Sequence, residues 1–255
     1  MKIHFLGTGT SQGIPVIGSK DPVCLSSDKK DKRLRSSVLI EWNNSKILID
    51  CGPDFRQQML RINNQVLDAV LFTHEHSDHT AGLDDLRPYC FMESKAMPIY
   101  AQTRVINSLK NRFDYIFATE NRYPGAPSVE IYELNNLNTF TIANNEIKPL
   151  LVNHGNLPIL GYRFDNFAYL TDVKTLNNET YDALNNLDIL VINALRIQEH
   201  PTHNNLQEAL EHIKKINPKK AYITHIGFQL GFHEEIQKTL PMNVFLAYDE
   251  LIINL

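Results

Sequence analysis

Three histidines and an aspartate fall within the six residues His74-Glu75-His76-Ser77-Asp78-His79, directly after the apolar run Val66–Phe72 and Thr73. Imidazole nitrogens and carboxylate oxygens are the ligands that divalent zinc, manganese and iron share. One histidine is ordinarily a satisfied core or surface residue, whereas four such side chains at the end of an apolar run leave few structural explanations. No thiolate stands among them, so the cluster does not select zinc by softness. A catalytic zinc takes three protein ligands and keeps one position for water. The cluster therefore oversupplies one ion and points to two, an arrangement that can clamp both the attacking and the leaving oxygen of a displacement.

Two ions need further ligands, and the sequence offers them where apolar runs end. His154 follows Ile147–Val152, Asp172 follows Phe167–Leu170 and His225 follows Ala221–Ile223. Taken singly, each is as compatible with a structural role as with a functional one. Their repeated placement after strand-like runs brings them together to the sheet edge that carries the motif. Ile3–Leu6, Val38–Glu41, Ile47–Ile49, Ala69–Phe72, Ile189–Ile192 and Val244–Leu246 read as further strands. Helical spacing connects Val105, Leu109, Phe113 and Phe117, and again Leu206, Leu210, Ile213 and Ile216 ahead of Pro218. Phe55–Ile62 and Leu176–Leu184 are shorter helix candidates, and Asn121–Ser128, with two prolines and a glycine, is a loop suited to a connector or a rim. Many strands, few helices and no strict alternation indicate packed sheets with helices outside, an α/β (α+β) arrangement. No repeat or linker divides the chain, so residues 1–255 are expected to form one domain.

Composition narrows the function classes. With 43% hydrophobic residues in 255 the chain can bury a sizeable core. A net charge of −4 and a pI near 6.2 argue against a polynucleotide binder, which carries a basic surplus. No apolar run approaches the roughly 20 residues of a membrane span, and the stretch Ile3–Leu6 is too short for a secretory signal. Cys24, Cys51 and Cys90 are odd in number and far apart, so no disulfide framework is implied and the cytoplasm is the expected compartment. Gly7-Thr8-Gly9-Thr10-Ser11-Gln12-Gly13 follows a strand, but its third glycine is one residue late for a dinucleotide fingerprint, and Pro15 and Gly18 stand where a helix should open. It is a tight turn without an implied nucleotide.

The signature His74-x-His76-x-Asp78-His79, followed in order by His154, Asp172 and His225, resembles the metallo-β-lactamase superfamily over nearly the whole chain. The resemblance implies a four-layer αββα sandwich, two mixed β-sheets flanked by helices. It also implies that His74, His76 and His154 hold one metal, that Asp78, His79 and His225 hold the other, and that Asp172 bridges them. Gly7–Pro15, Asp50-Cys51-Gly52-Pro53-Asp54, Gly82–Pro88 and His200-Pro201-Thr202-His203-Asn204 are similar to the branch containing the cyclic phosphodiesterase of the carbon–phosphorus lyase pathway. The last of these also resembles a motif of the tRNA 3′-processing endonucleases. Relatives in this branch often carry a structural zinc on three cysteines and a histidine, where this chain has Ser19, Asp21, Cys24 and Phe228. That zinc is therefore not expected, and Cys24 reads as an ordinary thiol.

Two divalent ions, Zn²⁺ or Mn²⁺, bring four positive charges; Asp78 and Asp172 remove two and a shared hydroxide a third. About one positive charge then remains to meet an anionic phosphate. Water shared by two metals is acidified towards neutrality and becomes the nucleophile. The catalytic candidates are thus Asp78 and His203, the latter resembling the family residue that protonates the leaving alkoxide; His200 is the second candidate for that role. His203 also suits a helix-entry position beside Asn204. Arg87, His200 and Arg196 are candidate substrate-binding residues, although an arginine on a surface also pairs with carboxylates. Asp50 is expected to support a ligand, Glu75 and Ser77 to point away from the metals, and His4, His212, His233, Cys51 and Cys90 to be structural. The leading expectation is a dinuclear phosphodiesterase acting on a small anionic, cyclic or linear, phosphodiester, with neither membrane nor nucleic acid as partner and with a homodimer left open. The alternatives are tRNA 3′ processing, hydrolysis of another ester or thioester, and a non-catalytic metal-binding module.

Overall fold

Along Ser37–Trp42, Val38 and Ile40 turn to one side and Leu39 to the other, and all three are fully buried. A strand that is apolar on both faces requires cover on both. The computed structural model, which describes all 255 residues, provides it with two stacked seven-stranded sheets and helices outside each. The first sheet contains β1 (Lys2–Gly7), β2 (Ser37–Trp42), β3 (Ser45–Ile49), β4 (Ala69–Leu71), β5 (Met97–Ala101) and β6 (Val129–Glu133). The second contains β7 (Phe140–Ile142), β8 (Asn145–His154), β9 (Leu157–Phe164), β10 (Phe167–Tyr169), β11 (Ile189–Asn193), β12 (Lys220–Thr224) and β13 (Val244–Leu246). The final strand, β14 (Ile252–Asn254), returns to the first sheet beside β1, giving the orders β14-β1-β2-β3-β4-β5-β6 and β13-β12-β11-β10-β9-β8-β7.

Both sheets are mixed, and this matters for the site. Strands β3 to β6 run parallel, as do β10 to β13, while β9 pairs antiparallel with both β10 and β8, so that β8 runs in the direction of β10. The C-terminal ends of β8, β10, β11 and β12 therefore share one edge of their sheet. Ile3, Phe5, Val38, Ile47 and Leu71 meet Leu160, Tyr162, Phe167 and Val191 between the sheets. Outside the first sheet, Leu39, Val70 and Ile99 pack on the helices Phe55–Arg61, Arg87–Glu93 and Thr103–Arg112; outside the second, Leu190, Ile192 and Ile223 pack on Leu206–Ile216. At about 25 cal/mol per Å² of apolar surface, these three layers are the main favourable contribution to folding.

Two departures from sequence expectation have local causes. The run Val105–Phe117 is not one helix, because Phe113, at φ −126 and ψ 46, ends the Thr103–Arg112 helix before a separate turn at Asp114–Phe117. Strands β5, β6, β7, β9 and β14 lie outside the runs read as strands. Of these, β9 follows β8 through the two-residue turn Gly155-Asn156, where φ of Gly155 is +60 and a Cβ would lie 2.8 Å from Thr202 Cγ2. No helix opens after Gly13; the next is Pro22–Leu25. Asp21 caps that helix through Val23 N, Ser19 Oγ accepts from Asp21 N, and Cys24 joins Ile14, Val23 and Phe228 in a small apolar cluster.

The segment carrying Cys24 is tied to the C-terminal region by a buried polar network. Arg33 donates to Thr8 Oγ1 (2.7 Å) and Ala247 O (2.6 Å), and its Nη2 lies 3.1 Å from His233 Nδ1. Arginine only donates, so His233 accepts here and is neutral. Burial and the Arg33 cation push His233 from 6.5 down to about 4. An imidazole whose folded value lies below its unfolded one supports folding above pH 6.5, and that support is lost as pH falls from about 6.5 to about 4. Thermal unfolding across this range should show the melting temperature of the wild-type chain falling more steeply than that of His233→Gln, which keeps an acceptor but does not titrate. Parallel curves would mean that His233 is as readily protonated folded as unfolded.

Candidate active site

The residues Thr73 to Thr80 leave the first sheet at the end of β4 and are pinned by the second. Tyr162 Oη donates to Phe72 O at 2.6 Å and Leu160 N to Thr73 O at 3.0 Å. The turn Ser77–Thr80 then lies against the exit of β3, where Cys51 N donates to His79 O at 2.8 Å. Gly52 permits this approach: a Cβ there would sit 2.1 Å from Asp78 O. Glu75 and Ser77 turn outward, Glu75 Oε2 to Arg104 (3.3 Å) and Ser77 Oγ to Arg112 (3.4 Å).

Three polar residues that end strands adopt the left-handed backbone region: Asp50 (φ 63) after β3, Asp172 (φ 57) after β10 and His225 (φ 53) after β12. Aspartate and histidine enter this region more readily than branched residues. The reversal takes the chain off each sheet while the side chain stays buried at its end; all three residues are at most 1% exposed.

Two groups of ligand-type side chains converge there, His74, His76 and His154 in one, Asp78, His79, Asp172 and His225 in the other, with the candidate ligand atoms of each within 4.8 Å of one another. Asp172 touches both. Its Oδ2 lies 2.7 Å from His79 Nε2 and 3.5 Å from His74 Nε2, and its Oδ1 is 2.8 Å from His225 Nε2 and 3.3 Å from His203 Nδ1. Asp78 Oδ2 lies 3.1 Å from His79 Nε2.

The partners of the remaining ring nitrogens set the tautomers. His79 Nδ1 faces Asp50 Oδ2 at 2.7 Å, and Asp50 also accepts from Thr73 N and Thr73 Oγ1, each at 2.8 Å. His154 Nδ1 faces Thr202 O at 2.8 Å, and a carbonyl only accepts, so Nδ1 carries the proton and Nε2 keeps its lone pair. Asp50 was anticipated as a support. The roles of Tyr162 and of the Thr202 carbonyl were not, since a hydroxyl reaching across a sandwich and a backbone oxygen leave no residue-type signal.

His203 stands against both groups, its ring 4.4 Å from that of His154 and stacked at 5.0 Å on that of His225. His200 sits one ring further out, 5.0 Å from His203, with Nδ1 accepting from Thr202. Arg87 forks onto Asp84, 2.7 Å to each oxygen, and Asp84 also accepts from Tyr115 Oη. The Arg196 guanidinium bonds the carbonyls of Gln198 and Glu199. Each guanidinium thus makes local bonds, Arg87 through Nη2 alone.

Electrostatics follows from burial and these partners. Burial opposes charge on His79, but Asp78, Asp172 and Asp50 override it and raise the imidazole well above its usual value; His225 is raised to about 9 chiefly by Asp172. Burial, with His79 nearby, drives His74 well down. Asp172 is buried, yet His225 and His79 hold it well below the usual carboxylate range. Burial outweighs Asp172 at His203 and takes it to about 4, so an imidazole of ordinary basicity is not what the fold provides.

A divalent cation fits these groups. His79 Nε2, His225 Nε2 and Asp172 Oδ1 are buried without a hydrogen-bond partner although N···O separations are as short as 2.7 Å. Such atoms converge on shared points instead of along one another's N–H bonds. The imidazole and carboxylate donor set suits Zn²⁺, Mn²⁺ or Fe²⁺.

Comparison with known proteins agrees with the geometry. Residues 45–226 match the family model described as beta-lactamase superfamily domain. A crystal structure described as a new diphosphatase from the PhnP family superposes with a TM-score of 0.92 and 38% identity, covering 99% of this chain and 96% of that one. Zinc-bound PqqB from Methylobacterium extorquens shares the fold at a TM-score of 0.80 and 17% identity, over 100% of both chains. An octanoyltransferase from Porphyromonas gingivalis (strain ATCC BAA-308 / W83) is 41% identical over 98% of this chain but only 51% of its own length. The chain spans about half, or less, of the curated relatives it matches first. No helix is long and apolar enough to cross a membrane.

If Asp50 fixes the tautomer and orientation of His79, Asp50→Asn should weaken Zn²⁺ binding by about 10–100-fold while far-ultraviolet circular dichroism is retained. Unchanged zinc affinity in a folded variant would remove Asp50 from that role.

Proposed function

This chain belongs to the β-lactamase superfamily of metal-dependent hydrolases, and from that premise we propose that it is a dinuclear phosphodiesterase cleaving a small anionic phosphodiester. The observation that carries this reading is the position of Asp172, within 3.5 Å of ligand-type nitrogens in both groups. His74, His76 and His154 would hold one ion and Asp78, His79 and His225 the other, with Asp172 between them and Zn²⁺ or Mn²⁺ as the metals. When bound, the ions would offset phosphate charge and acidify water to a nucleophile.

The protein groups divide the remaining work. Asp50 and the Thr202 carbonyl hold His79 and His154 in the tautomers that offer Nε2. Asp78 and Asp172 set the net charge, leaving a positive site for a monoanionic diester. His203, beside both groups, is the proton donor to the leaving oxygen, with His200 behind it. Burial holds His203 low, so the reading requires it to take up a proton from solvent as the anionic substrate binds, whose charge favours the imidazolium.

The 38% identical structure described as a diphosphatase supports counting phosphoanhydrides among the substrates to be tested. Octanoyl transfer is named for a relative of which this chain covers only 51%, and the three cysteines here are all buried, burial raising the Cys51 and Cys90 thiols.

Purified chain should bind close to two divalent ions, and Asp172→Ala should loosen both. It should hydrolyse bis(p-nitrophenyl) phosphate in preference to the monoester, with chelator abolishing turnover. A single bound ion, or efficient cleavage of a thioester, β-lactam or tRNA precursor without diester turnover, would move the assignment to another chemistry. His203→Ala should keep both metals and lose on the order of 10²–10⁴ in turnover of an alkyl diester. On nitrophenyl esters or a phosphoanhydride, whose leaving groups depart without a proton, it should lose far less. Equal losses on both substrate types would make His203 a substrate-positioning group; the selective pattern in His200→Ala instead would transfer the role to that residue.

A further inference from the structure

We propose that Arg112, at the C-terminal end of the Thr103–Arg112 helix, is a positioning residue for one half of the ligand set, His74, His76 and His154. The inference rests on the two-ion reading above, and it starts from unequal support. On the Asp78–His79–Asp172–His225 side, support comes from inside the fold: His79 is fixed by the wholly buried Asp50, and Asp172 and His225 are buried at strand ends. On the other side His76 is solvent-exposed, and beyond the inner pins at Phe72 and Thr73 the segment carrying it is also held from outside.

Arg112 Nη2 donates to Thr80 Oγ1 at 2.7 Å and to Glu75 O at 3.1 Å, and its Nη1 reaches Ser77 Oγ at 3.4 Å. Thr80 Oγ1 in turn lies 2.8 Å from His76 O. The directions are determined by chemistry. A guanidinium only donates, so the hydroxyl accepts from it and gives its single proton to the His76 carbonyl. One cation thus holds the main chain within the His74–His76 pair, directly at residue 75 between them and through Thr80 at residue 76. The helix that presents it is anchored by buried Val105, Ile106 and Leu109, and its first turn adds Arg104, paired with Glu75 Oε2 at 3.3 Å and bonded to Pro158 O at 2.8 Å.

Orientation and electrostatics predict opposite signs here. A positive charge beside a metal site repels the metal, so removing a guanidinium that acted only through its field would tighten metal binding. Removing one that acts through geometry loosens it, by the 10–100-fold typical of groups that orient ligands.

The test is Zn²⁺ titration of the full chain against a chromophoric chelator, with circular dichroism and metal-free melting temperature to establish folding. Arg112→Ala should weaken one of the two ions at least ten-fold and leave the other within about two-fold. Thr80→Val, which breaks only the relay to His76, should act in the same direction with a smaller effect. Arg112→Lys should not restore wild-type affinity, because an ammonium keeps the charge and loses the fork. In a His154→Ala background, where that half is already dismantled, Arg112→Ala should change nothing further. Two ions with unaltered, tightened or equally weakened affinities in Arg112→Ala would overturn this inference alone. A wild-type chain that binds one ion would overturn the two-ion reading and this inference with it.

Discussion

Three carboxylates, Asp50, Asp78 and Asp172, are withdrawn from water beside four imidazoles, and the architecture around them answers that difficulty. An ionised carboxylate moved into an apolar interior costs several kcal/mol unless it is paired and hydrogen-bonded. Asp50 meets the demand with three donors from Thr73 and His79. Asp172 has only ring nitrogens around it, and Asp78 shares two of them. The sheets make this crowding feasible by ending several parallel strands at one edge and reversing the chain there through left-handed residues. A left-handed non-glycine residue costs on the order of 1–3 kcal/mol, and here it places a buried charge where a regular strand would carry it past its partners.

Much of this was legible in the sequence because it rests on residue type and position within apolar runs. The cluster His74–His79 and the strand-end residues His154, Asp172 and His225 could be gathered into one site, since a polar residue closing a buried run must lie at a sheet edge. The strands that went unseen explain the limits. In β6, Val129 and Ile131 are only partly buried and separated by Glu130, and β9 is interrupted by Pro158 and Gly161, so neither forms a continuous apolar block. The kink at Phe113 could not be read from i, i+4 spacing, which continues unbroken through it. Supports such as Tyr162 Oη, the Thr202 carbonyl and the Arg112 guanidinium are invisible for a different reason: their targets are main-chain or hydroxyl oxygens, which every segment possesses.

The arginines illustrate how neighbours decide what a side chain is free to do. Arg87 and Arg196, candidates for meeting phosphate, each also bond locally, Arg87 Nη2 to Asp84 and Arg196 to two nearby carbonyls. Arg33, buried and bonded on several sides, joins the early segment to the C-terminal region.

The candidate ligands come from both sheets, His74 to His79 from the end of β4, and His154, Asp172 and His225 from the ends of β8, β10 and β12. An ion held jointly by them acts as a reversible cross-link between segments remote in the chain. Because the unfolded chain lacks the preformed arrangement, binding adds to stability by mass action, about 4 kcal/mol when free metal exceeds its dissociation constant a thousand-fold. The lifetime of the sandwich then depends on the free metal concentration of its surroundings. Under metal scarcity this edge would lose that cross-link and keep the hydrogen bonds of Tyr162 Oη to Phe72 O and Leu160 N to Thr73 O.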